Sequence, residues 1–318
     1  MTVQEMLEHI EYEEVAACPV CRETDKMVDL ITDVQVNRPS QAWRICLNCE
    51  HTFVSPRPTE AFLKKFYTDG YREMVYRLKE PESPERIPVG SVNEERHRSI
   101  RVSTMLFRVK ERVANHLDVG SSTGALCAGI IDMLSPKVSW GVEPNEAWRK
   151  FSEKAFATVP PGDDKKGEAH FVPTLTKVPK TLKFELVTLI HTLEHLREPR
   201  ELLEQCRDRM RPSGIIAIEV PNRYGGLPNP LLWPHLHCYT EDTLKRLVES
   251  VGFYPLLFET FGNHPPFYPP PQSIVVVAAM QKPELSMENV LTRYNLYRNA
   301  VGHIQGQMAQ ARPSYEVG

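Results

Sequence analysis

From Ala114 to Ala279 short apolar runs alternate with amphipathic stretches, and this alternation predicts strands and helices in turn. Seven runs read as strands: 114–118, 139–143, 169–172, 184–190, 215–220, 253–259 and 273–279. Phe184–Ile190 is apolar almost throughout, as expected of a parallel strand covered on both faces. Between the runs the spacing changes to that of helices. Ala125–Leu134 is one; 145–158 is another, with Trp148, Phe151 and Phe156 inward and Pro160-Pro161-Gly162 as its stop. Glu201–Met210 turns Leu202, Leu203 and Cys206 inward, and 241–251 does the same with Leu244, Leu247 and Val248, between Thr240 as N-cap and Gly252 as stop. Upstream, 93–112 carries Ile100, Met105, Leu106 and Val109 at helical spacing, its arginines read as a solvated face. The pattern predicts an α/β fold with a doubly wound, mostly parallel, seven-stranded sheet.

The amino-terminal part is built differently. Met27–Ile45 alternates, with Val34, Val36, Trp43 and Ile45 on the apolar positions, and predicts a strand pair across a turn near Asn37–Ser40. Thr59 caps a short helix ending at Tyr67, with Phe62, Leu63 and Phe66 on one face. Residues 71–90 are polar and punctuated by Pro81, Pro84 and Pro88, the composition of a linker or lid. Helical spacing returns after Pro283 at Val290, Leu291, Tyr294 and Tyr297. The division expected is 1–67 as a small module with its lead-out helix, 68–92 as linker, 93–282 as the main domain and 283–318 as a helical tail; the expectation of a homodimer rests on that tail and on a surface of the small module.

Composition narrows the chemistry. A net charge of −3 and a pI near 6.4 argue against a broad nucleic-acid surface. No run of about twenty apolar residues is present, and the acidic start has neither the basic leader nor the apolar centre of a signal peptide, so a cytoplasmic protein without membrane contact is expected. Seven cysteines do not pair evenly, but four form two C-x-x-C pairs, Cys18/Cys21 and Cys46/Cys49. Two such knuckles can meet at one tetrahedral ion, and four thiolates favour Zn²⁺ over a redox dithiol, which would need one pair only. A module this small gains folding free energy from its metal.

The stretch Asn115-His116-Leu117-Asp118-Val119-Gly120-Ser121-Ser122-Thr123-Gly124 joins a strand to a helix through a glycine-rich turn. Gly120 and Gly124 allow positive φ and close approach of a ligand to backbone amides. Glu143, at the end of the next strand, is suited to accept two hydrogen bonds from a ribose diol. Taken in order, L-D-V-G-S-S-T-G, G-V-E-P-N, F-E-L-V-T-L-I-H-T-L-E-H-L-R-E-P and G-I-I-A-I-E-V-P-N resemble the successive motifs of class I S-adenosylmethionine-dependent methyltransferases, over roughly residues 93–281. The resemblance implies a Rossmann-like domain with S-adenosylmethionine held by Asp118, Gly120, Ser122, Gly124, Glu143 and His191. Ser122 stands where the family commonly has glycine, and a serine fits there if its φ is negative.

The lead-out after Cys49 looks like that of zinc ribbons attached to sugar and natural-product methyltransferases. It implies a small-molecule acceptor, with O-methylation of a sugar or natural-product hydroxyl first, C-methylation of a nucleotide sugar next, and an RNA-modifying enzyme gripping through its ribbon as the alternative. A scaffold that keeps the fold without activity is a further reading. O-methylation needs a base to take the hydroxyl proton. His237 and His235, in the loop the family places over the substrate, rank first, with Tyr239 behind them; His195 is read as a brace for its loop. A last reading gathers a divalent ion between His191, Glu194, His195 and a later histidine, a spacing similar to that of metal-dependent small-RNA ribose methyltransferases.

Overall fold

A computed structural model of the chain describes residues 3–31, 39, 41–71, 74, 89–157, 167–225, 231, 233–261 and 272–282. The tail from 283, most of the linker at 72–88, Val34, Val36 and most of the turn expected near 37–40, and the proline-rich stretch 262–271 fall outside these residues.

Helix α1 (Val3–Leu7) precedes strand β1 (Tyr12–Glu13), and β2 (Met27–Ile31), β3 (Trp43–Cys46) and β4 (Thr52–Val54) form an antiparallel ribbon. Strand β5 (Arg57–Pro58) pairs back onto β1. Helix α2 (Glu60–Lys65) starts at Thr59, whose hydroxyl accepts from the Phe62 amide, and runs on as a wider turn over Phe66–Gly70. Helix α3 spans Val89–Phe107, beginning and ending a turn earlier than its apolar spacing predicts.

The main sheet follows: β6 (Asn115–Val119), α4 (Ala125–Leu134), β7 (Val138–Val142), α5 (Glu146–Ala157), β8 (Glu168–Val172), β9 (Phe184–Ile190), α6 (Pro199–Asp208) and β10 (Met210–Pro221). Then come β11 (His237–Cys238), α7 (Glu241–Ser250), β12 (Tyr254–Phe261) and β13 (Ser273–Ala279). Seven strands lie in the order β12-β13-β10-β9-β6-β7-β8. All neighbours are parallel except β13, which runs antiparallel to both β10 and β12, so the sheet is mixed.

Strand periodicity sends alternate side chains to opposite layers. Leu186, Ile215, Ala217, Val275 and Val277 pack with Val102, Leu106, Ile130 and Leu134 of α3 and α4. Their neighbours Val187, Leu189, Ile216, Ile218 and Val276 pack with Leu203 of α6 and Leu244, Leu247 and Val248 of α7. Helix α3 sits so close to α4 that a Cβ on Gly129 would lie 2.2 Å from the Ser99 hydroxyl. Of the residues expected inward on α5, Trp148 is buried, whereas Phe151 and Phe156 are half-buried.

The ribbon does not stand apart. Val20 and Phe53 share the second core with Tyr239 and Leu244. Strand β11, which follows the main sheet's fifth strand in sequence, pairs antiparallel with β4 and completes the ribbon as a four-stranded sheet, β11-β4-β3-β2.

Candidate active site

A cavity of about 450 Å³ opens beyond the carboxyl ends of β6, β7 and β9, where ligands bind in open α/β sheets. Its floor is the glycine-rich turn. Gly120 (φ +83°) is fixed by conformation and by space, since an added Cβ would lie 2.2 Å from the Thr192 hydroxyl. Ser122 also has positive φ, +47°, contrary to the negative φ expected of a serine there. Left-handed backbone costs a non-glycine residue roughly 1–2 kcal/mol. Contacts on both sides hold it: the Ser122 amide donates to Glu143 Oε2 at 3.1 Å and its hydroxyl to Glu95 Oε1 at 2.9 Å. The other Glu143 oxygen accepts from the Asn145 amide at 2.9 Å, fixing the carboxylate at the cavity wall.

Asp118 is the innermost acid. Its Oδ1 accepts from the Thr188 hydroxyl at 2.7 Å, and Thr188 Oγ lies 2.9 Å from His116 Nε2, whose Nδ1 faces Ser139 Oγ at 2.7 Å. Burial pushes the Asp118 carboxyl up to about 7; Thr188 and Cys127 oppose this, and the charges of Glu95 and Glu143 add to it. Three acids therefore converge on one turn, an electrostatic setting for a ligand carrying positive charge. Glu95 on α3 has no counterpart among the sequence expectations. The arginines expected as a solvated face divide: Arg96 is exposed, but Arg98 lines the cavity, Arg101 pairs with buried Glu219, and Arg108, just past the end of α3, pairs with Glu259.

At the far side of the cavity the chain leaves β9 through His191, itself left-handed at φ +51°. Its Nε2 lies 3.2 Å from Glu219 and its Nδ1 3.3 Å from Glu194, so one imidazole bridges two fully buried carboxylates. Burial and Arg98 pull its pKa down, but the two carboxylates prevail and raise it above the ordinary histidine value. Burial would raise Glu194; the imidazoles of His191, His195 and His235 outweigh it and hold the acid at about 2.

His195 follows on a single 3₁₀ turn (Leu193–His195), lines the cavity and has its Nε2 3.8 Å from Glu194. Burial lowers its pKa despite that carboxylate, which leaves the ring neutral at physiological pH. Three rings box it in: Tyr67 and Tyr71 edge-on at 5.9 Å, and His235 at 4.8 Å. The Tyr67 hydroxyl is buried without a hydrogen-bond partner, and burial, with Tyr71 and Glu194 nearby, keeps it protonated.

His237 and Tyr239 correct the sequence expectation. Neither lines the cavity, and both are buried at the seam between ribbon and main sheet. His237 lies in β11 and donates from Nε2 to the Leu196 carbonyl at 2.8 Å; burial lowers its pKa to about 3. A neutral ring donating there has a bare Nδ1, which accepts a hydrogen bond from the Nε2–H of His51 at 3.1 Å. His235 is also outside the cavity lining but packs on His195, which is in it.

The four ribbon cysteines come together as expected, with Cys18 and Cys49 sulfurs 3.6 Å apart and those of Cys21 and Cys46 3.5 Å apart. A tetrahedron of Zn–S bonds of about 2.3 Å has edges of about 3.8 Å, so the set fits a tetrathiolate ion. One further group, Glu194, His195 and His235, brings its ligand atoms within 4.8 Å of one another.

A mixed seven-stranded sheet with a glycine-rich first turn, an acid at the second strand's end and a cavity over both defines the Rossmann-like methyltransferase class. A family model described as "Methyltransferase domain" matches residues 92–257, and the chain belongs to that family. A tRNA U34 carboxymethyltransferase of Idiomarina loihiensis is 28% identical over 119 residues, 34% of this chain and 36% of that protein; the match spans about a third of the relative. Magnesium protoporphyrin IX methyltransferase from Synechocystis PCC 6803, solved with bound SAH, superposes with a TM-score of 0.51 at 12% identity, covering 70% of this chain and all of that one, a likeness of fold. Among the described residues no helix is long and apolar enough to cross a membrane.

Proposed function

We propose that the chain methylates a hydroxyl of a small metabolite, a sugar or natural product, with His195 as the base. The observation that carries this is a neutral, boxed imidazole at the cavity wall, backed by a buried carboxylate. When bound, the cofactor supplies an electrophilic methyl group on a sulfonium. Glu143 holds the ribose diol, Gly120 and Gly124 keep the turn open to it, and Asp118 with Glu95 sets a negative potential around it. The Tyr67 hydroxyl donates a hydrogen bond to the acceptor. In this reading S-adenosylmethionine is the donor and would keep the sulfur's electron pair when the acceptor oxygen takes its methyl group, while His195 would take the acceptor's proton on a ring nitrogen. Glu194 stabilises the imidazolium that results.

A small acceptor is favoured over RNA because residues 1–67 carry eleven carboxylates against seven lysines and arginines, a poor grip for a polyanion. In the same reading these residues are a zinc ribbon held by Cys18, Cys21, Cys46 and Cys49, and 93–282 are the catalytic domain. The test uses methyl-labelled cofactor with fractionated extract: label should enter the small-molecule fraction. His195→Ala should lower kcat by about 10²–10⁴ with cofactor affinity almost unchanged. Full activity in that variant, or label entering RNA only, contradicts the proposal.

The Glu194, His195 and His235 group favours a second reading, in which these residues hold a borderline divalent ion. His195 would then be a ligand and not a base. Metal analysis separates the two: one ion per chain, lost with Cys46→Ser, supports the first reading, and a second ion lost with His235→Ala supports the other.

A further inference from the structure

The turn that carries His195 cannot fix itself. Leu193–His195 is one 3₁₀ turn between β9 and α6, and its own backbone bonds are His195 to Thr192 and Leu196 to Leu193, the second at 3.4 Å. Beside the His191–Glu194 pair, its backbone is held from the ribbon and from the residues that join the ribbon's last strand. The Glu194 carbonyl accepts from the Leu236 amide at 2.8 Å, and the Leu236 carbonyl in turn accepts from the Val54 amide of β4 at 2.9 Å. The Leu196 carbonyl accepts from His237, which accepts from His51. Arg57 donates to the Arg197 carbonyl and to the Glu198 carboxylate. Gln41, almost fully buried, donates from Nε2 to the His235 carbonyl at 2.9 Å.

From these contacts we infer that the ribbon is a positioning arm for the catalytic turn, and that His51 is its positioning residue. The inference rests on the reading of His195 as base, but the contacts that carry it do not. Residues 194, 196, 197 and 198 are each held, directly or through one intermediate, by a group on residues 51–57. That segment leaves the second cysteine knuckle without a break: the Cys46 amide donates to the His51 carbonyl at 2.9 Å, two residues beyond Cys49. Four thiolates gathered on one ion fix the knuckle, the knuckle fixes β4, and β4 fixes the turn. A small misplacement of a base carries a large rate penalty, about a hundredfold for 1 Å. The cofactor floor, built on Asp118, Gly120 and Glu143, receives none of these contacts, so the arm acts on the chemical step and leaves cofactor binding alone.

The test compares His51→Phe, which keeps the stacked ring and loses the N–H, with His51→Gln, whose amide can still donate to His237. Both are made in the full chain with its metal loaded. Three quantities are read: cofactor affinity by calorimetry, kcat, and amide hydrogen exchange in peptides covering 193–198. His51→Phe should lower kcat about tenfold or more, leave cofactor affinity within about twofold, and speed exchange in those peptides ahead of the central strands. His51→Gln should recover most of each loss. Unchanged exchange at 193–198 in His51→Phe overturns the inference. Cofactor affinity falling in step with kcat, with exchange faster throughout the sheet, overturns it as well, because the residue would then serve overall stability. The exchange measurement does not depend on which group is the base: were His195→Ala fully active, the mechanism above would fail and the arm would still stand or fall on its own.

Discussion

Asp118 gives the sharpest quantitative prediction. Its carboxyl sits at about 7 in the folded chain against an ordinary value of 3.8, with burial the largest cause. The sign follows directly. A folded pKa raised above the unfolded one means that the folded state favours the protonated acid, so this contribution is fully present below about pH 4 and is lost as the pH rises through 7. Three pKa units at about 1.36 kcal/mol each set a ceiling of about 4 kcal/mol. Asp118→Asn keeps the size of the side chain and an oxygen for the Thr188 hydroxyl, but it cannot ionise. In cofactor-free protein the variant and the parent should be about equally stable near pH 4, and the variant should gain by up to about 4 kcal/mol at pH 8. Urea denaturation at several pH values, read as the difference between the two proteins, isolates the residue. The cofactor's positive charge works the other way, favouring the ionised acid. Affinity for S-adenosylmethionine should then fall about tenfold for each pH unit below 7 in the parent and lose that dependence in the variant. Calorimetry in buffers of different ionisation enthalpy counts the proton released near pH 6. A stability difference that is constant with pH, together with no proton release, refutes the reasoning.

Other perturbations follow from the same geometry. Glu143→Ala removes the proposed acceptor of the ribose diol and the partner of the Ser122 and Asn145 amides, and should weaken S-adenosylmethionine binding about a hundredfold or more; equal affinity by calorimetry contradicts that assignment. Cys46→Ser should remove one zinc from the native mass and lower the melting temperature clearly; an unchanged mass and melt contradict a structural ion. Thr240→Ala breaks the reciprocal cap with Thr243 at the start of α7 and should cost about 1 kcal/mol by denaturant titration, with cofactor affinity unaffected.

What was legible in the sequence was local. The strand of Phe184–Ile190, the caps at Thr59 and Thr240, the glycine-rich turn and the paired cysteines each declare themselves within a few residues, and the fold carries all of them. The reading went astray where the outcome depends on partners far along the chain. His237 looks like a loop base until β11 pairs with β4, which places it opposite Phe53, 237 − 53 = 184 residues earlier, and away from the cavity. Arg101 and Arg108 look solvated until the buried Glu219 and the half-buried Glu259 come to meet them. Ser122 looks free to take negative φ until Glu95 and Glu143 grip it from two sides. Glu95 could have been suspected from its place on the helix just before the first strand of the main sheet, although nothing in its neighbours marks it.

The cluster at the ends of β9 and β10 is where the fold accepts an electrostatic cost. Glu194 and Glu219 are both fully buried, and His191 bridges them from a left-handed backbone position, with Arg101 as the second cation. Taking such charges out of water is expensive, and well-packed apolar side chains of similar volume would fold no worse and often better. Stability therefore does not explain why they stand there. Position does: the group lies at the carboxyl edge of the sheet, against the cavity, with its charges set to keep Glu194 ionised beside a neutral His195. The buried pair His51 and His237 differs in kind. Both rings are neutral, joined by one hydrogen bond and anchored on a backbone carbonyl, an arrangement that buries no charge. In the proposed reading, chemistry belongs to the charged cluster and alignment to the neutral pair.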